Sequence, residues 1–242
     1  MDVVVLLLAG FLAGAVNAVA GGGTFFTFGA MSFLGIGPIV ANATSAIAVF
    51  PGYISSTLSY WSDIKSMWRG ALVYALISGV GAVIGSLLLL QLDSDGFAVL
   101  VPWLLLGATA VFALGPWIKK RQMKDVPMGI GRAVQFITSI YGGFFGAGMG
   151  VMMLASLGIT ERGDYHRVNA LKNLLSIVIA SVAIIVFTWG GVIDWRAAVM
   201  LVPTTALGGV AGVWIARRVP EAIMRYVVIA VGVFLAVYYF TK

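Results

Sequence analysis

The chain has 242 residues, 61% of them hydrophobic, only 10% charged and 31 of them glycine, with a mean hydropathy of +1.04. Soluble domains run nearer ~45–50% apolar and ~25% charged, so this chain cannot bury its apolar surface as a water-soluble globule; at ~20 residues per spanning helix it holds about eight hydrophobic segments and no soluble catalytic domain. The formal charge of +6 sits in short loops between apolar stretches, a topology signal rather than a nucleic-acid surface, and the absence of cysteine removes thiol chemistry, disulfides and thiolate metal sites.

Met1-Asp2 runs straight into the apolar Val3–Gly14 stretch, without the basic leader and small-residue cleavage pattern of a removable signal, and reads as retained membrane segment. Nothing shows the alternating ten-residue strands of an outer-membrane barrel, so the segments are expected to be helical. In chain order, Asp2–Gly35 is apolar but broken by Asn17 and Gly21-Gly22-Gly23. Continuous spans are expected at Pro38–Tyr60, Gly70–Gln91 and Phe97–Ile118. Then comes a basic linker, 119–132, and a second broken stretch, Ala133–Gly158, interrupted from Gly142-Gly143 to Gly150. Three further spans follow at Val168–Trp189, Ala197–Ala216 and Ala222–Thr241. The domain division is therefore 1–118, first membrane repeat; 119–132, cytoplasmic linker; and 133–242, second membrane repeat.

Charge placement decides whether the two broken stretches cross the membrane. If both turn back as re-entrant hairpins, all basic residues except Arg196 and Lys242 fall on the side of the Lys119-Lys120-Arg121 loop, from Lys65 and Arg69 through Arg132, Arg162, Arg167 and Lys172 to Arg217, Arg218 and Arg225. Full crossings would spread them over both faces. The positive-inside rule selects the hairpins, placing both termini outside and the linker in the cytoplasm. Each half is then one hairpin plus three crossings, and an odd number of crossings makes the two halves inverted copies. The repeat is visible: at an offset of 127 residues Asn42-Ala43 faces Asn169-Ala170, Trp68-Arg69 faces Trp195-Arg196, and Gly81/Gly85 faces Gly208/Gly212. Upstream the offset becomes 132, pairing Gly10-x-x-x-Gly14 with Gly142-x-x-x-Gly146. The predicted fold is an all-α polytopic membrane protein of two inverted repeats.

The run Gly10-Phe-Leu-Ala-Gly14-Ala-Val-Asn17-Ala-Val-Ala-Gly21-Gly22-Gly23, followed by Gly35-x-Gly37-Pro38-x-x-Ala41-Asn42-Ala43-Thr44-Ser45, resembles the TauE/SafE family of sulfite-exporter-like permeases. The second half carries the expected second-repeat pattern, Gly143-Phe-Phe-Gly146-Ala-Gly148-Met-Gly150 and then Arg167-Val-Asn169-Ala170 with Lys172-Asn173. The resemblance covers essentially the whole chain. It implies a polytopic permease moving small sulfur-containing or organic anions such as sulfite, sulfoacetate or related sulfonates, often outward, across a bacterial inner membrane.

Inverted repeats with interrupted helices place substrate near the bilayer midplane, where half-helix ends expose backbone N–H groups suited to an anion. An arm of about 15 residues reaches about 22 Å, which brings a tip into the membrane interior but not through it. The expected site thus joins Asn17, Gly21, Gly22 and Gly23 of the first tip to Gly146 and Gly148 of the second. It adds Asn42, Thr44 and Ser45 from one span and Asn169, Lys172 and Asn173 from its repeat partner, which together supply amide, hydroxyl and ammonium donors. A desolvated oxyanion needs several such donors. The competing reading makes the asparagines, serine and threonine helix caps. Lys172 is either an anion-attracting charge within the membrane or a side chain that snorkels to headgroups. Arg69 and Arg196, beside Trp68 and Trp195, read first as interfacial anchors and second as an anion vestibule. Gly10/Gly14, Gly81/Gly85 and Gly208/Gly212 read as small-residue helix contacts.

All nine acids fall in loops or at segment ends, which leaves no buried carboxylate as a proton relay. His-Glu-x-x-His and Walker-type phosphate-loop motifs are missing from the sequence, so no enzyme activity and no cofactor or metal is expected. The expected partners are a small anionic substrate and membrane lipid, with no nucleic acid; small-residue faces also allow a homodimer. The competing function is an anion channel with a continuous pore, and a third reading is a membrane assembly protein without flux of its own.

Overall fold

The computed structural model describes residues 2–20, 22–120, 127–160, 165–216 and 221–241. Gly21 lies outside the described residues, as do positions 121–126 of the linker and Arg162, Arg217, Arg218 and Lys242. The described residues form helices α1 (Val3–Ala20), α2 (Thr24–Phe33), α3 (Pro38–Ser59), α4 (Trp61–Ser66), α5 (Trp68–Leu90), α6 (Ser94–Lys120), α7 (Met128–Phe144), α8 (Met149–Thr160), α9 (Tyr165–Trp189), α10 (Trp195–Ala216) and α11 (Glu221–Thr241).

The six expected spans coincide with α3, α5, α6, α9, α10 and α11, every end agreeing within three residues. Residues 38–58, 68–90, 94–111 and 167–189 are each long and apolar enough to cross a bilayer. Helix starts are fixed by local chemistry. Pro38 opens α3 at its first turn. Asp93 caps α6 by accepting the Gly96 N–H at 2.8 Å, and Asp194 caps α10 by accepting the Ala197 N–H at 3.0 Å. These two acids therefore serve as structural caps. The short α4 was not expected; its Lys65 ammonium lies 5.8 Å from the Trp61 ring centroid while Ile64 is buried, the pattern of an interfacial turn. The linker is shorter than expected, because α6 continues through Lys120 and α7 starts at Met128.

Both broken stretches are interrupted helices. The 18-residue α1 ends at Ala20 and the 10-residue α2 begins at Thr24, and the break at 145–148 separates 17-residue α7 from 12-residue α8. At 1.5 Å per residue α2 and α8 extend only about 15 and 18 Å, too short to span a core of ~30 Å. Gly23 packs its backbone directly on the Ala13 carbonyl, so the chain folds back on α1 at this point.

Two interfaces rest on backbone-to-backbone approach. A methyl group on Gly14 would collide with the Thr205 carbonyl and the Gly209 nitrogen of α10, and one on Gly208 would meet the Phe11 carbonyl of α1. In the same way Gly85 abuts the Ile140 carbonyl of α7 and Gly143 abuts Ala82 of α5. Within lipid, where burial offers little gain between apolar helices, such close packing and interhelical hydrogen bonds supply the association energy. Gln135 Nε2 donates to Ser78 Oγ at 3.0 Å and to Ser139 Oγ at 3.1 Å, tying α7 to α5. Thr205 Oγ1 donates to the Ala48 carbonyl at 2.5 Å, tying α10 to α3.

Gly14→Val and Gly85→Val are each expected to destabilise by at least ~1–3 kcal/mol through overpacking. Gly107→Ala, at a position with open space around it, should leave stability unchanged or raised. Thermal unfolding of the detergent-solubilised variants checks this.

Candidate functional site

The first tip ends where α2 begins, at Thr24, and the second is the 145–148 turn between α7 and α8. Two left-handed residues, Gly146 at φ +73° and Gly148 at φ +77°, allow that turn; any L side chain there is strained. The turn is stapled by the Tyr141 hydroxyl donating to the Ala147 carbonyl at 2.7 Å. The Asn42 amide of α3 donates to the Phe144 carbonyl at 2.9 Å, satisfying one of the carbonyls stranded at the end of α7. Phe145 packs edge-on against Phe28 of α2 at 5.4 Å and Phe97 of α6 at 6.1 Å, so the two hairpins touch through an aromatic pair.

Between the tips lies a cavity of about 20 Å³, bounded by Thr24, by Gly142, Phe145, Gly146 and Met149, by Asn42, Ala46, Val49 and Tyr53 of α3, and by Ile179, Ala180, Ala183 and Phe187 of α9. That space accommodates about one water molecule. Any solute larger than water enters only when the helices around it separate. Its wall is mainly apolar, with the Asn42 amide and the Thr24 and Tyr53 hydroxyls as polar groups and no charged side chain. The start of α2 adds the positive end of its dipole, while its Phe25 and Phe26 N–H groups are bonded to the Gly22 and Gly23 carbonyls at 3.3 and 3.0 Å.

Of the sequence-predicted residues, Asn42 and Gly146 line this cavity. Gly22 and Gly23 are buried beside it as packing elements, Gly22 facing Val228 and Gly23 facing Ala13 and Asn17; Gly148 faces Ala108 of α6. Thr44 serves another role, its hydroxyl accepting the Asp194 N–H at 3.0 Å where α10 begins. The buried Ser45 hydroxyl and the Asn17 carbonyl oxygen have no hydrogen-bond partner among the described residues.

Asn169, Lys172 and Asn173 lie on α9 outside the cavity wall. Lys172 is only 7% exposed, two helical turns inside α9, so it is packed within the protein and does not snorkel to lipid. It forms no ion pair among the described residues. Lys172, the buried Ser176 and the cavity-lining Ile179, Ala183 and Phe187 recur at four- and three-residue steps and share one face of α9. Lys172 therefore stands about 10 Å along the helix from Ile179. No cluster of three or more metal-ligating side chains occurs among the described residues.

Sequence reasoning passed over Thr24, Tyr53, Ala46, Val49 and Gly142. A signal was present for three of them: Asn42, Ala46, Val49 and Tyr53 form one helical stripe that extends from the asparagine already singled out.

The sequence profile described as Sulfite exporter TauE/SafE matches residues 6–239. Among curated proteins, a probable membrane transporter protein, ORF9, of Sinorhizobium sp is 28% identical over 96% of this chain and 90% of its own length. A probable membrane transporter protein of Haemophilus influenzae is 24% identical over 93% of this chain and 89% of its own. The probable membrane transporter protein YfcA of Escherichia coli K12 is 24% identical over 94% and 86%.

Thr44→Val should cost about 1 kcal/mol, because it leaves the Asp194 N–H without its acceptor, whereas Ser45→Ala removes an unpaired buried hydroxyl and should be neutral or stabilising. Paired thermal melts separate the two outcomes.

Proposed function

The chain belongs to the sulfite exporter TauE/SafE family of membrane transporters, and on that premise we propose that it is a permease for small sulfur-containing or organic anions, sulfite, sulfoacetate or related sulfonates, moved outward. The observation that carries this reading is the cavity between the two hairpin tips, which is lined by the neutral polar residues Asn42, Thr24 and Tyr53 and has no carboxylate in its wall to compete with an anion. The buried Lys172 on the same face of α9 supplies positive charge at a distance from the cavity, which attracts an anion without trapping it.

In this reading transport proceeds by alternating access between two inverted halves. The helix packing supports such a division. Exchanging α1 with α7, α2 with α8, α3 with α9, α5 with α10 and α6 with α11 converts the α1–α10 interface into α7–α5, α3–α10 into α9–α5, and α2–α11 into α8–α6, while α3–α9 and α6–α11 map onto themselves. An interior with room for one water favours an occluded carrier over a continuous anion channel. A cell interior negative by 100 mV assists export by ~2.3 kcal/mol per charge, so outward movement needs no co-ion. The expected setting is a bacterial inner membrane with both termini outside.

Purified protein in sealed proteoliposomes is expected to give saturable sulfoacetate flux that follows the imposed potential and supports counterflow. Asn42→Ala and Lys172→Ala should each lower that flux about tenfold or more, equivalent to ~1.4 kcal/mol or more of lost interaction. Non-saturating flux without counterflow would favour the channel, and unaltered flux in both variants would remove the proposed site.

A further inference from the structure

The stripe of α3 that bounds the central cavity, Asn42, Ala46, Val49 and Tyr53, is polar at its two ends and apolar between them. Asn42 and Tyr53 stand about 16 Å apart along the helix. Each is tied to a different hairpin. The Asn42 amide donates to the Phe144 carbonyl at 2.9 Å, where α7 stops, and the Tyr53 hydroxyl is joined by a side-chain hydrogen bond to Thr24, where α2 starts. Tyr53 and Thr24 are each only 5% exposed. With both ties made, the cavity is shut at both ends and holds about 20 Å³.

Different movements break the two ties. Before Pro51, α3 is fastened to α10 by two hydrogen bonds, the Asp194 N–H to Thr44 Oγ1 at 3.0 Å and Thr205 Oγ1 to the Ala48 carbonyl at 2.5 Å. Tyr53 lies beyond the proline. Pro51 has no N–H to offer, so the Ile47 carbonyl loses its helical donor and a weakened turn joins the two halves of α3. The next residue leaves room to flex, since a Cβ added at Gly52 would meet only the Asn17 side chain, at 3.5 Å. A bend at residues 51–52 carries Tyr53 away from Thr24 while Asn42 stays on Phe144. Withdrawal of the second tip breaks the Asn42 bond with α3 unbent. Both ties join neutral groups and are weak enough on net to open and re-form during turnover. Each can open while the other stays closed, as alternating access requires.

We propose that Tyr53 and Thr24 form the gate of the cavity on the side where α3 ends, opened by a bend at Pro51, and that Asn42 and the Phe144 carbonyl form the gate on the side where α3 begins. These roles rest on the alternating-access reading of the same cavity.

Ala183→Cys puts the chain's one thiol in the α9 wall of the cavity, on a helix that carries neither gate. Its rate of modification by a membrane-impermeant methanethiosulfonate reagent is measured from each face of oriented proteoliposomes. Adding Tyr53→Phe or Thr24→Val is expected to raise that rate about fivefold or more from the face where α3 ends and less than about twofold from the other. Thr24→Ser keeps the hydroxyl and should leave both rates within about twofold. Asn42→Ala should give the opposite pattern, and Pro51→Ala should slow modification about fivefold or more from the face where α3 ends. A general folding defect exposes the thiol to both faces alike, so the side of the change separates a gate from a loosened core. Equal rises on both faces, or unchanged rates in both Tyr53→Phe and Thr24→Val, overturn the gates, and wild-type rates in Pro51→Ala overturn the bend. If sulfoacetate counterflow is saturable while the rates show no sidedness, the permease reading stands and the gates fail. Face-specific changes in a protein that carries no sulfoacetate establish the gates and overturn the substrate assignment.

Discussion

Everything in this molecule follows from one constraint: backbone N–H and C=O groups within hydrocarbon must be satisfied by protein. Two helices nevertheless stop inside the chain's apolar stretches, α1 at Ala20 and α7 at Phe144. Such breaks persist only where neighbouring elements cover them. Here α3 reaches across with Asn42 to the Phe144 carbonyl, Tyr141 closes the second turn on Ala147, and Phe28, Phe97 and Phe145 exclude lipid from the junction. The glycine contacts of α1 with α10 and of α5 with α7 bring the arms close enough for that cover to be complete. Asn42, which satisfies one broken end, also lines the central cavity beside Thr24 and Tyr53, so one side chain serves both the folding problem and the proposed binding chemistry.

The large features were legible because they follow from hydrocarbon thickness and composition. The six continuous spans emerge within three residues of their expected ends, and the glycine runs mark both breaks. Less legible was which polar residue serves which neighbour. Thr44 and Ser45 are adjacent in sequence and alike in chemistry, yet one accepts a hydrogen bond from Asp194, 150 residues away, while the other is buried without a partner among the described residues. That difference depends on where α10 begins relative to α3, which no local pattern encodes. Lys172 shows the same limit: helix position alone allowed snorkelling, and only the packing around α9 buries it.

The proposed carriage of a small anion draws on the distribution of charge. Cationic side chains stand at the start of α5 and α9 and again at Lys172, while the innermost cavity has neutral donors only. A lysine or arginine in direct contact with a dehydrated anion would hold it too firmly for release; neutral donors with a nearby positive field provide attraction without a trap.

The central claim is that the cavity between the hairpin tips lies on the substrate path and opens alternately to each side. Because the chain contains no cysteine, Ala46→Cys places a single thiol in the cavity wall. The decisive measurement is its rate of modification by a membrane-impermeant methanethiosulfonate reagent applied from either face of oriented vesicles, with and without sulfoacetate. Modification from both faces, slowed by sulfoacetate at concentrations that saturate flux, is the predicted result. A thiol that remains unreactive from both faces, or reacts without protection while sulfoacetate flux proceeds normally, would contradict it.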